Sequence, residues 1–153
     1  IVYGGGGIMP DFFVPIDTTG NSDYYNSVYR KGLVYSFAYS YADENRKTLS
    51  KFTKADEFDS YLDKVNVLDD FVKYAAGKGI PRDNGGLKVS SKIINAQLKA
   101  YIARNIIGEE GFYPIIQKID NTLKRAIEIS KQNLLVENVR NYKSAENGLA
   151  KEK

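Results

Sequence analysis

Apolar residues recur at intervals of three and four along most of the chain, in the segments 24–41, 54–78 and 93–106. This spacing places them on one side of an α-helix. With 153 residues and 42% hydrophobic side chains, the chain is long enough to bury one core. We therefore predict a mainly α fold, a bundle of about four to five helices preceded by a short β and glycine-loop segment.

The first predicted helix begins near Asp23, where Asn21 or Ser22 is positioned to cap it, and continues to about Tyr41. Apolar and aromatic residues cover most of its circumference, so we expect it to lie centrally among its neighbours. Gly32 in its middle is unfavourable for a helix by about 1 kcal/mol relative to Ala. We expect another element to cross closely at that glycine.

Two further segments follow. Residues 54–78 show helical spacing in two pieces, with Gly77 or Gly79 as the stop. We predict a loop over residues 80–88, a cap at Ser90 or Ser91, and then a helix that extends to Gly108.

A last helix is predicted from about Tyr113, and beyond Val139 the polar end is expected to fray. At the other end, the runs Ile1-Val2-Tyr3 and Phe12-Phe13-Val14 are β-type and flank four consecutive glycines. The predicted division is an N-terminal segment 1–20, a helical region 21–140 and a tail 141–153. The last helix carries one apolar face: Ile116, Ile119, Leu123, Ala126 and Ile127.

Composition excludes several kinds of site. The chain has no cysteine and no histidine, which removes thiol nucleophiles, Ser-His-Asp triads and the usual zinc ligand sets. The formal charge of +3 is small and its Lys and Arg residues are interspersed with acids, so we do not expect a nucleic-acid partner. No apolar run approaches about eighteen residues, which predicts no membrane span.

Glycine-rich and acidic stretches are candidates for ligand sites. The four glycines lead into Ile8-Met9-Pro10-Asp11 instead of a helix, and no Gly-Lys-Ser/Thr follows, so a tight strand connection is favoured over a phosphate loop. The acidic groups do not have the spacing of a calcium loop, and solvated helix faces or first turns explain them better. These groups are Asp56-Glu57-Asp59, Asp69-Asp70 and Glu109-Glu110.

Serine with lysine, and tyrosine, each allow a functional and a structural interpretation. A Ser-Lys dyad needs a desolvated, neutral lysine; Lys88, Ser90, Ser91 and Lys92 flank a predicted loop and helix start, which favours capping and solvation. The twelve tyrosines could line a groove that stacks on sugars, bases or peptide side chains, but their helical spacing between Tyr24 and Tyr41 favours the core. We assign no catalytic, cofactor-binding or metal-binding residue.

Near the start of the chain, Gly5, Gly7, Ile8, Pro10 and Asp11 fit the pattern Gly-x-Gly-Ile-x-Pro-Asp. This stretch resembles the end of the protease core in carboxyl-terminal processing peptidases, the S41 serine peptidase family. The remainder, including Tyr24-Tyr25-Asn26 and residues 97–104, looks like the long C-terminal extension of Bacteroidetes-type members.

The resemblance implies a parent serine endopeptidase that uses a Ser-Lys dyad with an oxyanion hole and cleaves polypeptides near their C-termini. No stretch here matches the serine motif or the Gly-Lys-Gly lysine motif, so no catalytic residue is transferred. The first residue is Ile and Ile-Val-Tyr is typical of a strand interior, so we expect the chain to begin partway through a longer polypeptide.

The expected role is therefore a non-catalytic region that serves as scaffold, substrate-channel wall or subunit contact. Its expected partners are the N-terminal catalytic core of its own chain and the polypeptide substrates of the parent. The resemblance implies a periplasmic or cell-envelope location and leaves oligomerisation open. The alternative is an independent helical module that binds a protein or peptide, and a nucleic-acid-binding helical domain ranks third.

Overall fold

A computed structural model describes residues 12–132 of the chain. The chain divides into two compact units. The larger, the helical body, comprises residues 17–120. The described part of the smaller unit consists of residues 12–16 and 121–132.

About 75% of the described residues are helical, and no strand occurs among residues 12–132. The predicted mainly α class is confirmed. The helices are shorter and more numerous than the four to five that periodicity predicted. They are α1 Asp23–Arg30, α2 Leu33–Glu44, α3 Arg46–Leu49, α4 Ala55–Lys64, α5 Val67–Gly77, α6 Asn84–Ile107, α7 Glu109–Ile116 and α8 Asn121–Lys131, with a 3-10 helix at Gln117–Ile119 between α7 and α8.

The first predicted helix is in fact two. Ser22 caps α1 as expected, because its hydroxyl accepts a hydrogen bond from the N–H of Tyr25 at 3.1 Å. Gly32 then has a φ of +65°, a left-handed conformation that separates α1 from α2. Nothing lies within 4 Å of where its Cβ would be, so the expected close crossing there was wrong.

The second break was predicted, since residues 54–78 form α4 and α5. Asn66 lies between them with a φ of 52°, and asparagine is among the few residues that tolerate this conformation. Helix α5 ends at Gly77, and Gly79 follows with a φ of +82°. The glycine stop is therefore confirmed, and Gly79 turns the chain toward α6.

Helix α6 begins earlier than predicted. It begins at Asn84, and Ser90 is a buried interior position rather than a cap. Gly86 allows this start because a Cβ there would lie 2.7 Å from Tyr24 Cβ and 2.6 Å from Asp83 Oδ2. Glycine thus permits the close approach of α6 to α1, and the pair Gly85-Gly86 belongs to the first helical turn instead of the predicted loop.

The last predicted helix is also divided. Helix α7 begins at Glu109, immediately after Gly108, and Asp120 separates the following 3-10 turn from α8. Gly111 lets α7 approach α6, since an added Cβ would lie 2.9 Å from both the carbonyl carbon and the Cβ of Ala103. A helix continuous from Tyr113 to Ile127 was therefore wrong, and its apolar residues belong to three elements.

Helix α6 lies at the centre of the helical body and contacts α1, α2, α4, α5 and α7. Buried residues occur around the whole circumference of this 24-residue helix, so α6 is the central helix. The expectation that the helix predicted over residues 23–41 is central was wrong. Aromatic contacts complete the core: Phe37 packs edge to face on Phe71 at 5.6 Å, and Phe52 packs on Phe58 at 5.4 Å.

Of the predicted β segment, Ile1 to Asp11 lies outside the described residues, and Phe12 to Val14 form neither helix nor strand. None of the helices within residues 12–132 combines the length and the apolar character that crossing a bilayer would require.

Candidate functional site

The five signature residues Gly5, Gly7, Ile8, Pro10 and Asp11 lie outside the described part of the chain. The other candidates lie within it. The structure disperses most of them along the helical body, brings some together in an ion-pair network, and gathers several tyrosines on one surface.

The acidic groups bind protein cations and helix ends. Glu57 accepts hydrogen bonds from the N–H groups of Thr53 and Lys54 at 2.8 and 3.0 Å, and these bonds lower its pKa. Asp69 pairs with Arg82 at 3.3 Å. No group of three or more His, Cys, Asp or Glu side chains that could hold a metal ion occurs within residues 12–132. The capping interpretation describes Glu57, but the solvated interpretation does not describe Asp59, which is only 23% exposed and pairs with two lysines.

Ser90 is fully buried, and its hydroxyl bonds to the segment that precedes α1. Its hydroxyl donates to the carbonyl of Gly20 at 2.7 Å and accepts from the N–H of Ser22 at 2.9 Å. It thereby fixes the segment that leads into α1 against α6. The hydrogen bonds of the Ser90 hydroxyl all go to residues 20–22, and none of them joins it to the ammonium group of a lysine.

Lys99 is the buried lysine of the helical body, with 6% of its surface exposed. Its ammonium group pairs with Asp59 at 2.7 Å and with Asp63. The other oxygen of Asp59 accepts from Lys118 at 2.7 Å, and Lys118 also reaches Asp56 at 3.5 Å. These five side chains, the ion-pair network, join α4 to α6 and to the 3-10 helix.

The electrostatics of the network favour charged groups. Burial acts to raise the pKa of Asp59, but hydrogen bonds from Lys118 and Lys99 outweigh it, so that the pKa lies below the usual value. The hydrogen bond to Asp59 likewise raises the pKa of Lys118. Lys99 lies between the carboxylates of Asp59 and Asp63, and Ser90 is not among its polar partners.

Besides the ion-pair network, the helical body has a partly exposed group of aromatic rings. Tyr101 on α6 is its centre, with the ring of Tyr35 from α2 packed edge to face at 5.5 Å and the ring of Phe112 from α7 at 5.3 Å. Phe112 in turn contacts Tyr113 at 5.4 Å. Three helices therefore contribute rings in direct contact.

Helix α1 extends this group. Tyr25 and Tyr29, one turn apart, stack at 5.6 Å, and the Nε2 of Gln97 on α6 donates to the Tyr25 hydroxyl at 2.9 Å. Burial raises the pKa of Tyr25; the hydrogen bond from Gln97 acts to lower it, and the nearby hydroxyls of Tyr29 and Tyr101 act to raise it, so that the pKa lies above its ordinary value. We call the whole set the aromatic surface: Tyr25, Tyr29, Tyr35, Tyr101, Phe112 and Tyr113.

The outer rings of the aromatic surface are open to solvent. Tyr29, Tyr35 and Tyr113 are 60%, 53% and 52% exposed, whereas Tyr25 is buried. The guanidinium of Arg104 lies 5.3 Å from the centre of the Phe112 ring and pairs with Glu109. The result is a partly exposed aromatic face with an ion-paired arginine beside it, and aromatic residues and arginine are enriched at protein interfaces.

The preference for core tyrosines was correct for Tyr24 and Tyr25, which are buried, and wrong for Tyr29, Tyr35 and Tyr39, which are more than half exposed. Helical spacing identifies a common face but does not say whether another helix covers it. The contributions of Tyr101, Phe112 and Lys99 were missed. The signal for Lys99 was its place among the apolar residues of α6.

Comparison with known proteins gives one family. Residues 24–108, which are 85 of the 153, match the model of a family described as a family of unknown function (DUF8443). The chain belongs to this family. The DUF8443 match begins in α1 and ends at Gly108, the residue that terminates α6. No curated protein and no solved structure matches the chain.

The DUF8443 match therefore includes four members of the aromatic surface, Tyr25, Tyr29, Tyr35 and Tyr101. Phe112 and Tyr113, on α7, follow it.

Proposed function

We propose that this chain is a non-catalytic helical region that contacts polypeptide chains through its aromatic surface. The observation that carries the proposal is the direct contact of rings from α2, α6 and α7 around Tyr101, with outer tyrosines that remain half exposed. Burying such rings against a partner yields a large gain per residue, and tyrosine loses little conformational freedom in doing so.

Polypeptide suits this surface better than nucleic acid. The charged group packed on it, Arg104, is paired with Glu109, so the surface offers little excess charge for a phosphate backbone. Tyrosine hydroxyls at its edge can donate to and accept from peptide groups.

We further propose that the parent is an S41 serine endopeptidase and that the chain contributes scaffold, substrate-channel or subunit contacts beside the catalytic core. The support is the resemblance carried by Gly5, Gly7, Ile8, Pro10 and Asp11. The resemblance also supports a periplasmic or envelope location. The alternative is an independent helical module that binds protein or peptide through the same surface.

The binding proposal is tested with fluorescently labelled β-casein, an unstructured polypeptide, by anisotropy. Replacing Tyr35 and Tyr113 by Ala removes two outer rings and should weaken binding by about tenfold, as expected for interface anchors. Val89→Ala is the matched control, because Val89 is 50% exposed on α6 outside the aromatic surface. Equal affinities of the wild type and the double variant would contradict the proposal.

The peptidase proposal is tested separately. The purified chain should not hydrolyse labelled casein, and hydrolysis that a serine-directed reagent abolishes would contradict its non-catalytic role. The peptidase proposal and the independent-module alternative predict different coding sequences upstream of Ile1. A serine motif followed by Gly-Lys-Gly supports the peptidase, and its absence supports the independent module.

A further inference from the structure

A concave pocket lies elsewhere on the helical body, between the end of α1 and the turn that follows α5. It has a volume of about 390 Å³, within the range of small-molecule sites. Its floor and wall include Ile80, which is buried, and Pro81. Its polar lining residues are Ser27, Arg30 and Lys31.

The charge of this pocket is one-sided. No carboxylate lines it, and neither Arg30 nor Lys31 forms an ion pair with any described residue. Arg30 donates from Nε to the carbonyl of Asn26 at 3.3 Å, and Lys31 reaches the carbonyl of Lys78 at 3.5 Å. The two terminal nitrogens of Arg30 and the other protons of Lys31 remain free for a ligand.

Arg30 and Lys31 also interact with the negative ends of two helices. Helices α1 and α5 both end at the pocket, and a helix C-terminus carries roughly half a negative charge. Two such ends amount to about one negative charge, whereas Arg30 and Lys31 supply two positive charges. A net positive potential therefore remains after the helix ends are neutralised.

We propose that this pocket binds a carboxylate carried on a short apolar chain. The carboxylate would pair with Arg30 and Lys31, for which a guanidinium offers bidentate geometry. The apolar chain would lie against Ile80 and Pro81. This site is distinct from the aromatic surface and does not depend on the proposed polypeptide contact.

Butanoate is the probe, with binding followed by the amide NMR signals of Gly32 and Gly79, which flank the cations. We expect saturable shifts at both glycines. Changing Arg30 and Lys31 together to Gln should weaken the affinity by at least about tenfold. Both side chains are exposed, so the double variant should keep its fold, which its unfolding midpoint verifies.

The matched control is Lys47→Gln with Lys51→Gln, which removes the same charge in and just after α3. These lysines lie beyond the far end of α2, a helix of 12 residues and about 18 Å that begins after Lys31. It should bind butanoate like the wild type, and an equal loss of affinity would overturn the proposal. Inorganic phosphate should bind more weakly because it lacks an apolar chain. Equal or tighter phosphate binding, or similar shifts with butylamine, would also overturn it.

Discussion

Ser90 and Lys99, the two buried polar side chains of α6, lie nine residues apart and on opposite sides of the helix. That separation is about 13 Å along the axis and about half a turn around it. Ser90 bonds to residues 20–22 and Lys99 to Asp59 and Asp63. A serine and a lysine so placed cannot act as a catalytic pair, and both instead attach α6 to its neighbours.

Lys99→Met is expected to destabilise the fold by about 2–3 kcal/mol, since removing one partner of a buried ion pair leaves the other desolvated. The expected loss of stability is small for a broken buried ion pair, because Asp59 keeps its partner Lys118 and Asp63 is exposed to water. Urea denaturation measures it. Lys73→Met is the control, because Lys73 pairs with Asp70 at the surface and should change stability by less than about 0.5 kcal/mol. Similar values for the two variants would contradict burial of Lys99.

The ion-pair network should make stability fall in acid. Because the pKa of folded Asp59 lies below its ordinary value, its contribution is fully present above about pH 4 and decreases as the pH falls through the folded pKa. Asp59→Asn should therefore be less stable than the wild type near neutral pH, and the difference should shrink below about pH 4. Urea midpoints across that range test this, with the exposed Asp70→Asn as control. A difference independent of pH would contradict it.

Ser90→Ala should cost about 1–3 kcal/mol, because it leaves the N–H of Ser22 and the carbonyl of Gly20 without their shared partner. Ser91→Ala changes a partly exposed neighbour and should cost less than about 0.5 kcal/mol. Thermal unfolding compares them. If Ser90→Ala unfolds like the wild type, the predicted role of Ser90 in holding α1 against α6 is wrong.

Two helical glycines should respond to Ala with opposite signs. Gly111→Ala forces a methyl group to within 2.9 Å of the Ala103 backbone and should destabilise by about 1–3 kcal/mol. Gly77→Ala meets nothing within 4 Å and should stabilise by about 0.5–1 kcal/mol, since alanine favours helix. Their unfolding free energies give the comparison, and stabilisation by Gly111→Ala would refute the close packing of α7 on α6.

Local chemistry predicted part of the fold well. Ser22 as a cap, the two pieces of residues 54–78 and the end of α6 at Gly108 depend on residues within a turn of each other. The breaks at Gly32 and Asp120 and the early start of α6 were not predicted. The start of α6 depends on a residue far away in the sequence, because Gly86 lies against Tyr24, whereas the break at Gly32 is a left-handed glycine with nothing packed within 4 Å of its Cβ position.

By itself, the amino-acid sequence determined that the chain is mainly helical and that it carries no thiol or imidazole chemistry, because periodicity and composition act locally. Tertiary structure alone decided that α6 is central, that Lys99 is buried between carboxylates, and that Tyr35 of α2 packs against Tyr101 of α6. Exposure and pairing depend on which helices cover a face, and the spacing of residues along one helix contains no information about its neighbours.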